Sequence, residues 1–345
     1  MLKTQNFSVQ DFENINLKNY QQRTNESHIF HSLEWMKIVK KTLGVNYKIA
    51  LLRENNLIVA SIPFVLYHNL IKGQSALPLQ FSHYYGSIVA DNDDVKKKIL
   101  IKFFKYCRES NFFTQIPEVN LIKGHKYFSG YSIYKIELEV NSTVEEQILA
   151  RASKRMRYYI KKAIKSDLVS CTGGLELLNE FYFLYLQNMK ELGTPPLPKN
   201  YFKKIIKWLP KIAKIILVKN KKQVCSGMFV LKVSKSELFA PVISTPRAYQ
   251  VGQSSHFIYL QAAKEAQKFG CSVMNFGRSI DGSGPALFKK RYGLEKTPLL
   301  MYSPYKNWTI TNPKNSILRH VISIWKKLPL PLTRLGGIIL AKHII

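Results

Sequence analysis

Apolar positions in this chain recur with two spacings, and the switches between them mark out the elements. Over His28–Gly44, Phe30, Leu33, Met36 or Ile38 and Leu43 return at helical intervals, with Ser32 placed to cap and Gly44 placed to stop the helix. From Tyr47 the interval shortens, and KIALLRENNLIVASIPFVL predicts a hairpin turning at Asn55-Asn56. Asp93–Ser110 reads as an amphipathic helix capped by Asp93 or Asp94, and strands are predicted near Phe112–Ile116 and Ser132–Glu139. Ser142–Glu146 holds two overlapping capping boxes, Ser142 with Glu145 and Thr143 with Glu146, which predict one long helix beyond them. Leu175–Gly193 is a further helix, rich in aromatics and stopped by Gly193. Lys214–Leu231 is again strand–turn–strand, and it matches the first hairpin in layout: Ala60-Ser61 stands against Ser226-Gly227, and Phe64-Val65-Leu66 against Phe229-Val230-Leu231. Two corresponding hairpins predict two similar domains, although amphipathic hairpins also resemble one another by chance. A strand at Glu237–Ile243, a helix at Ser255–Phe269 and strands at Ser272–Phe276 and Leu299–Tyr302 complete the pattern.

Composition narrows the class. With 345 residues, 46% of them hydrophobic, the chain can bury two cores of ordinary size, and 19 Tyr and 19 Phe argue against disorder. Its 52 Lys+Arg against 22 Asp+Glu leave a net charge of +30, which points to nucleic acid, anionic lipid or a phosphorylated substrate as partner; a generally Lys-rich proteome accounts for part of it. Cys107, Cys171, Cys225 and Cys271 lie far apart beside apolar runs, so free buried thiols are expected rather than disulfides or a zinc site, and no metal is expected. The first residues contain no apolar signal core and no run is long enough to span a bilayer, so a cytoplasmic protein is expected.

Candidate chemistry gathers in three stretches. Arg151–Lys165 carries Arg151, Lys154, Arg155, Arg157, Lys161, Lys162 and Lys165 with no acid, and 154, 157, 161 and 165 share one helix face. Like charges on one face repel, so an anion-binding role is favoured over a merely solvated face. Gln250-Val251-Gly252-Gln253-Ser254 lies between a strand and a helix, where free N–H groups and the helix dipole suit a phosphate. The third stretch is Asn275–Tyr302, NFGRSIDGSGPALFKKRYGLEKTPLLMY, which joins glycine turns to a cluster of Arg and Lys. No Ser-His-Asp or Cys-His arrangement is suggested, and the scattered histidines look incidental. The tail, Lys306–Ile345, is basic, acid-free and partly apolar, which suits either an anionic bilayer surface or packing on the second domain.

Asn275–Tyr302 resembles the C-terminal signature of FemAB-like acyltransferases, a branch of the GNAT superfamily, in which a Phe-Gly-Arg-Ser strand precedes a Ser-Gly turn and a Phe-Lys-Lys segment. Arg157-Tyr-Tyr-Ile160-Lys-Lys162-Ala163 is similar to the Arg-x-x-Ile-x-Lys-Ala helix of that family. Leu192-Gly193-Thr194-Pro195-Pro196 and Trp325-Lys-Lys-Leu-Pro329 resemble the exosortase/PEP-CTERM-associated branch, with no role evident for the first on physical grounds. The resemblance implies an α/β (α+β) fold of two tandem GNAT-like domains, each a mixed sheet flanked by helices: residues 1–140, residues 141–305, and a helical tail over 306–345. It implies an N-acyltransferase or aminoacyltransferase acting on an amino group of a cell-envelope glycan or peptidoglycan precursor, phosphorylated or lipid-linked. The donor would be acyl-CoA or aminoacyl-tRNA as co-substrate, with no resident cofactor, and the enzyme would work in the cytoplasm or at the inner membrane surface.

In that frame Lys289 would stabilise the oxyanion, with Arg278 holding oxygens and Asp281 available as a base, although an Asp in a turn is more often a turn former. Gly252, Gln253, Ser254, Ser283 and Gly284 would hold the donor. Arg157, Lys161, Lys162, Tyr84, Tyr85, Phe288 and Tyr292 would face the acceptor. Gln250–Ser254 is one residue short of the GNAT pyrophosphate motif, and Asn275 stands where relatives often carry Asp. Both departures keep an opposing reading open, a non-catalytic protein whose basic GNAT-like face holds RNA, anionic lipid or polymer.

Overall fold

The structure is a computed structural model that describes residues 5–15, 28–45, 47–69, 73–78, 88–117, 126–304 and 316–344. Two compact units emerge. The first comprises Met1–Ser129, Leu299–Ile310 and Leu340–Ile345, and the second Gly130–Pro298 and Thr311–Ile339.

In the first unit an antiparallel sheet runs in the order β1 (Gln5–Asp11), β2 (Tyr47–Glu54), β3 (Leu57–Asn69), β4 (Gly73–Pro78), with β5 (Val89–Ala90) also on β3. The β2–β3 turn is made by Asn55 and Asn56, both at positive φ, which Asn tolerates and which matches the twist of a two-residue hairpin. Ser32 caps α1 (Leu33–Leu43) by accepting from Trp35 N at 3.2 Å, and Gly44 ends it in the left-handed region. The cap of α2 (Asp93–Glu109) is Asn92 rather than Asp93 or Asp94. Asn92 is extended and accepts from Val95 N at 3.0 Å, which leaves the two aspartates in the first turn, where they oppose the helix dipole. Ala50, Leu52, Ile62, Phe64, Ile99 and Phe103 form the core between α2 and the sheet. The last residues of β13 (Glu295–Tyr302) pair with β6 (Ile116–Pro117). Tyr84 and Tyr85 lie outside the described residues.

The second unit is built on a sheet with the order β7 (Lys126–Glu137), β12 (Val273–Ile280), β11 (Glu237–Ser244), β10 (Gln223–Lys232), β9 (Ala213–Asn220), β8 (Leu168–Gly173). Alternate residues of β10 serve opposite faces. Met228 and Val230 join the core under α3 (Val144–Arg151), α4 (Lys154–Ile164), α7 (Ser254–Lys268) and α8 (Gly284–Arg291), whereas Phe229 packs on Phe181 and Phe202 of α5 (Leu178–Leu192) and α6 (Lys199–Trp208). Neighbouring strands are antiparallel except β11 and β12, which pair in parallel only from Glu237↔Val273 to Phe239↔Asn275. Beyond that point β11 continues along β10 and β12 along β7, so the two strands part.

Thr143 and Glu146 form the capping box, with Glu146 N donating to Thr143 Oγ1 and Thr143 N to Glu146 Oε2. The single long helix predicted from Ser142 is instead two. Ala152 and Ser153 are extended between α3 and α4, Ser153 N donates to Arg291 O at 2.9 Å, and a Cβ on Gly293 would lie 2.7 Å from the Arg151 backbone. The end of α8 and the chain after it thus meet the break, accepting the Ser153 N–H and packing against Arg151.

The Leu192–Pro196 stretch seats the tail helices α9 (Ser316–Lys327) and α10 (Leu330–Ile344). Gly193 ends α5 at φ +76, and its missing side chain leaves room for Ile322; Gly337 of α10 does the same against Pro196. Pro331 does not break α10, because it sits in the first turn, where no intrahelical N–H is required. Gly337→Ala would put a Cβ 2.5 Å from Pro196 O and is expected to cost about 1–3 kcal/mol in urea unfolding, as other overpacked sites do.

Candidate active site

The parting of β11 and β12 is bordered by an irregular stretch of β12. Between the pairs Asn275↔Lys135 and Arg278↔Ile133, Phe276 and Gly277 oppose Tyr134 alone, which makes a bulge. Gly277 has φ +77, a conformation that a side chain would strain. Asn275 fixes the bulge from within: its Oδ1 accepts from Gly277 N at 2.9 Å, and its Nδ2 donates to Glu237 Oε1 at 2.6 Å. Glu237 in turn pairs with Lys135 at 3.0 Å. Asn275 is fully buried, so position 275 is a structural amide here. An Asp would direct a carboxylate at Glu237.

Lys289 enters the bulge from α8. It is only 4% exposed, and its ammonium donates to the carbonyls of Phe276 at 2.7 Å and Gly277 at 3.1 Å and reaches Arg278 O at 3.5 Å, while lying 5.5 Å from the Tyr134 ring centroid. Burial pulls its pKa from 10.5 down to about 7. Lys289 is thus poised between charge states near neutrality.

Asp281 follows β12 and accepts from Ser132 Oγ at 2.8 Å while pairing with Lys296 at 3.0 Å. Burial raises its pKa, but Lys296 and Ser132 together outweigh that and hold the carboxyl below its ordinary range. So held, it is a weak base. Arg278 is exposed, its guanidinium 5.0 Å from the Tyr131 ring. Ser283 caps α8 by accepting from Ala286 N at 3.3 Å, and the space beside Gly284 is open.

The turn into α7 has two consecutive residues in the left-handed region, Gly252 at φ +55 and Gln253 at φ +67. Among the described residues no side chain caps α7, and the hydroxyl of fully buried Ser254 has no hydrogen-bond partner. A left-handed pair at the start of a 15-residue helix, next to an unsatisfied hydroxyl, is suited to an anion. Gly252 packs on Ser166, so the C-terminal end of α4 meets this turn. Met156, Ile160 and Ala163 of α4 face the core, which leaves Lys154, Arg155, Arg157, Lys161, Lys162 and Lys165 exposed. The basic helix and the predicted phosphate cradle are therefore neighbours.

Two of the aromatics assigned to the acceptor differ in access. Phe288 is half-buried, 5.1 Å from His256 and 5.0 Å from Tyr259. Tyr292 is fully buried and donates to His256 O at 3.0 Å, which makes it part of the core. His256, which the sequence presents as incidental, lies in the first turn of α7 between Phe288 and Tyr159 of α4, 5.2 Å away. Burial lowers its pKa to about 4, so the imidazole is neutral at ordinary pH. Its place just after the glycine turn was the one available signal. Among the described residues, no group of His, Cys, Asp and Glu is arranged to hold a metal.

No family model matches the chain, and no curated protein matches it. Solved structures do. FemX superposes with a TM-score of 0.62 at 13% identity over 86% of this chain and 97% of its own. L-PGS from Bacillus licheniformis gives 0.57 at 11% over 92% and 99%, and a tandem GNAT protein from the clavulanic acid biosynthesis pathway gives 0.53 at 8% over 88% and 100%. The chain has the tandem GNAT-like fold of these structures, as the motifs at Arg157–Ala163 and Asn275–Tyr302 led us to expect.

Asn275→Asp sets two carboxylates within hydrogen-bond distance in a buried site and is expected to lower stability by about 3 kcal/mol. Adding Glu237→Gln restores one donor and one acceptor, so urea unfolding of the double variant should recover most of that loss.

Proposed function

We propose that this protein transfers an acyl or aminoacyl group to an amino group of a cell-envelope glycan or peptidoglycan precursor. The observation that carries this reading is the gap between β11 and β12, with an anion-suited turn at Gly252–Ser254 on α7 and a buried lysine in the bulge of β12. Likeness to FemX and L-PGS supports the fold for such chemistry. In the reaction the acceptor nitrogen attacks the donor carbonyl carbon and a tetrahedral oxyanion forms. The bond to the leaving oxygen or sulfur then breaks as the nitrogen gives up its proton, and the departing oxygen or sulfur takes a proton up to leave as the alcohol or thiol. A cation beside the oxyanion lowers that barrier, and Lys289 is the cation we assign to it. The donor is acyl-CoA or an aminoacyl-tRNA, its phosphates at Gly252–Ser254, Ser283 and Gly284, while Arg157, Lys161 and Lys162 take the acceptor's phosphates.

One feature favours a second reading. The ammonium of Lys289 already faces three carbonyls and Asp281 is already paired, which is also what a non-catalytic binding protein would retain to keep its bulge folded. Titration of acyl-CoA, charged tRNA and uncharged tRNA at two salt concentrations separates the possibilities. Donor binding that survives high salt supports the enzyme; uniform, salt-erased binding is counterion release alone and defeats it.

Lys289→Met is expected to reduce turnover by about 10²–10³-fold with polyanion binding retained, measured by kcat and by titration. Because the charged form is the useful one, turnover should fall as pH rises through about 7. Stability moves the opposite way. Between about 7 and 10.5 the unfolded lysine keeps a proton that the folded one has released, so the unfolded state binds more protons and stability rises with pH across that window. The stability difference between Lys289→Met and wild type should therefore shift in favour of wild type from pH 7 to 10, as read by urea unfolding.

A further inference from the structure

The tail helices present an outer face that nothing in the transfer reaction uses. Ile322, Trp325, Thr333 and Gly337 look inward: Ile322 against Gly193, Trp325 against Gly336, Gly337 against Pro196, and Thr333 is 1% exposed. On the other side Ile324, Leu332 and Leu335 are 57%, 52% and 60% exposed. Leu332 and Leu335 are three apart and share a face of α10. Lys327 and Arg334 are exposed on the same helices, Lys326 is exposed with its stem running past Gly193, and from Lys306 to Ile345 the chain has no Asp or Glu.

We propose that this outer face of the α9–α10 pair docks on an anionic lipid bilayer. Cations with no acid among them match the negative leaflet surface, and exposed aliphatic side chains on the same two helices gain by entering the acyl boundary. The choice of lipid over RNA follows from the kind of apolar residue. Bases are held by stacking on aromatic rings, and the one aromatic side chain described in α9 and α10, Trp325, packs against Gly336. Among the described residues no helix is long and apolar enough to cross a membrane, so the contact lies along the surface. The inward contacts at Gly193 and Gly337 keep the aliphatic residues turned out, and the proposal does not depend on which reaction the protein performs.

The test is cosedimentation of the full chain with vesicles of phosphatidylglycerol and phosphatidylcholine, and with phosphatidylcholine alone. Binding is expected to the mixed vesicles and to be weak on the neutral ones. The triple variant Ile324→Ser, Leu332→Ser, Leu335→Ser should bind the mixed vesicles about tenfold less tightly, with its thermal midpoint little changed because the three side chains are exposed. Lys161→Gln with Lys162→Gln, on α4, should leave vesicle binding near wild type. No binding to the mixed vesicles overturns the proposal. So does a loss caused by the α4 pair but not by the triple variant, which would mark general polycation attraction. Binding of a single-stranded RNA that the triple variant abolishes would assign the face to nucleic acid and overturn it as well.

Discussion

A single buried lysine shapes the end of the second unit at which β11 and β12 part. Lys289 Nζ sits over the β12 bulge with main-chain carbonyls of Phe276 and Gly277 as acceptors, and Tyr134 beneath it. A charge so placed needs those acceptors, since burial alone disfavours it. The carbonyls, in turn, converge only because Gly277 adopts a left-handed conformation and Asn275 holds its N–H. Cation, bulge and amide therefore depend on one another.

The same constraint accounts for the gap. With two residues of β12 set against one of β7, the strand turns away from β11 beyond Asn275. β11 has its own irregularity, where Ala240 and Pro241 fall opposite Val230, and a proline is accommodated there because a bulge relieves it of a ladder hydrogen bond. Past these two irregularities the strands no longer pair, although Gly277 and Ala240 remain neighbours, a Cβ on Gly277 falling 3.5 Å from Ala240 O. His256 and Phe288 join the first turn of α7 to α8, so the anion-suited turn and the buried lysine are linked by ring packing.

Electrostatics organises the rest of this unit. α4 concentrates five exposed cations on the side opposite Met156, Ile160 and Ala163, with Lys165 just beyond its end, and that end meets Gly252. Among the described residues Arg151, in the helix before, pairs with the Glu139 carboxylate at 3.4 Å. A helix that repels itself in this way is held by its apolar face against α7, and an arriving anion would relieve the repulsion.

Local signals in the chain sufficed for whatever depends on neighbours a few residues apart. The hairpin turn at Asn55-Asn56, the Ser32 and Thr143 caps, the Gly44 and Gly193 stops and the apolar faces of α4 and α7 all follow from spacing and side-chain chemistry, and with the family motifs they were enough for the tandem fold. Tertiary structure decided the remainder. The break between α3 and α4 packs on Arg291 and Gly293, far along the chain, the partner of Asn275 is 38 residues away, and the acceptors of Lys289 lie up to 13 residues before it. The burial of Tyr292 and the seat that Gly193 and Pro196 offer the tail are of the same kind. Periodicity reports which side of an element is apolar; it carries no information on which distant backbone will occupy the space in front of it, and that occupancy sets both the charge state of Lys289 and the shape of the gap.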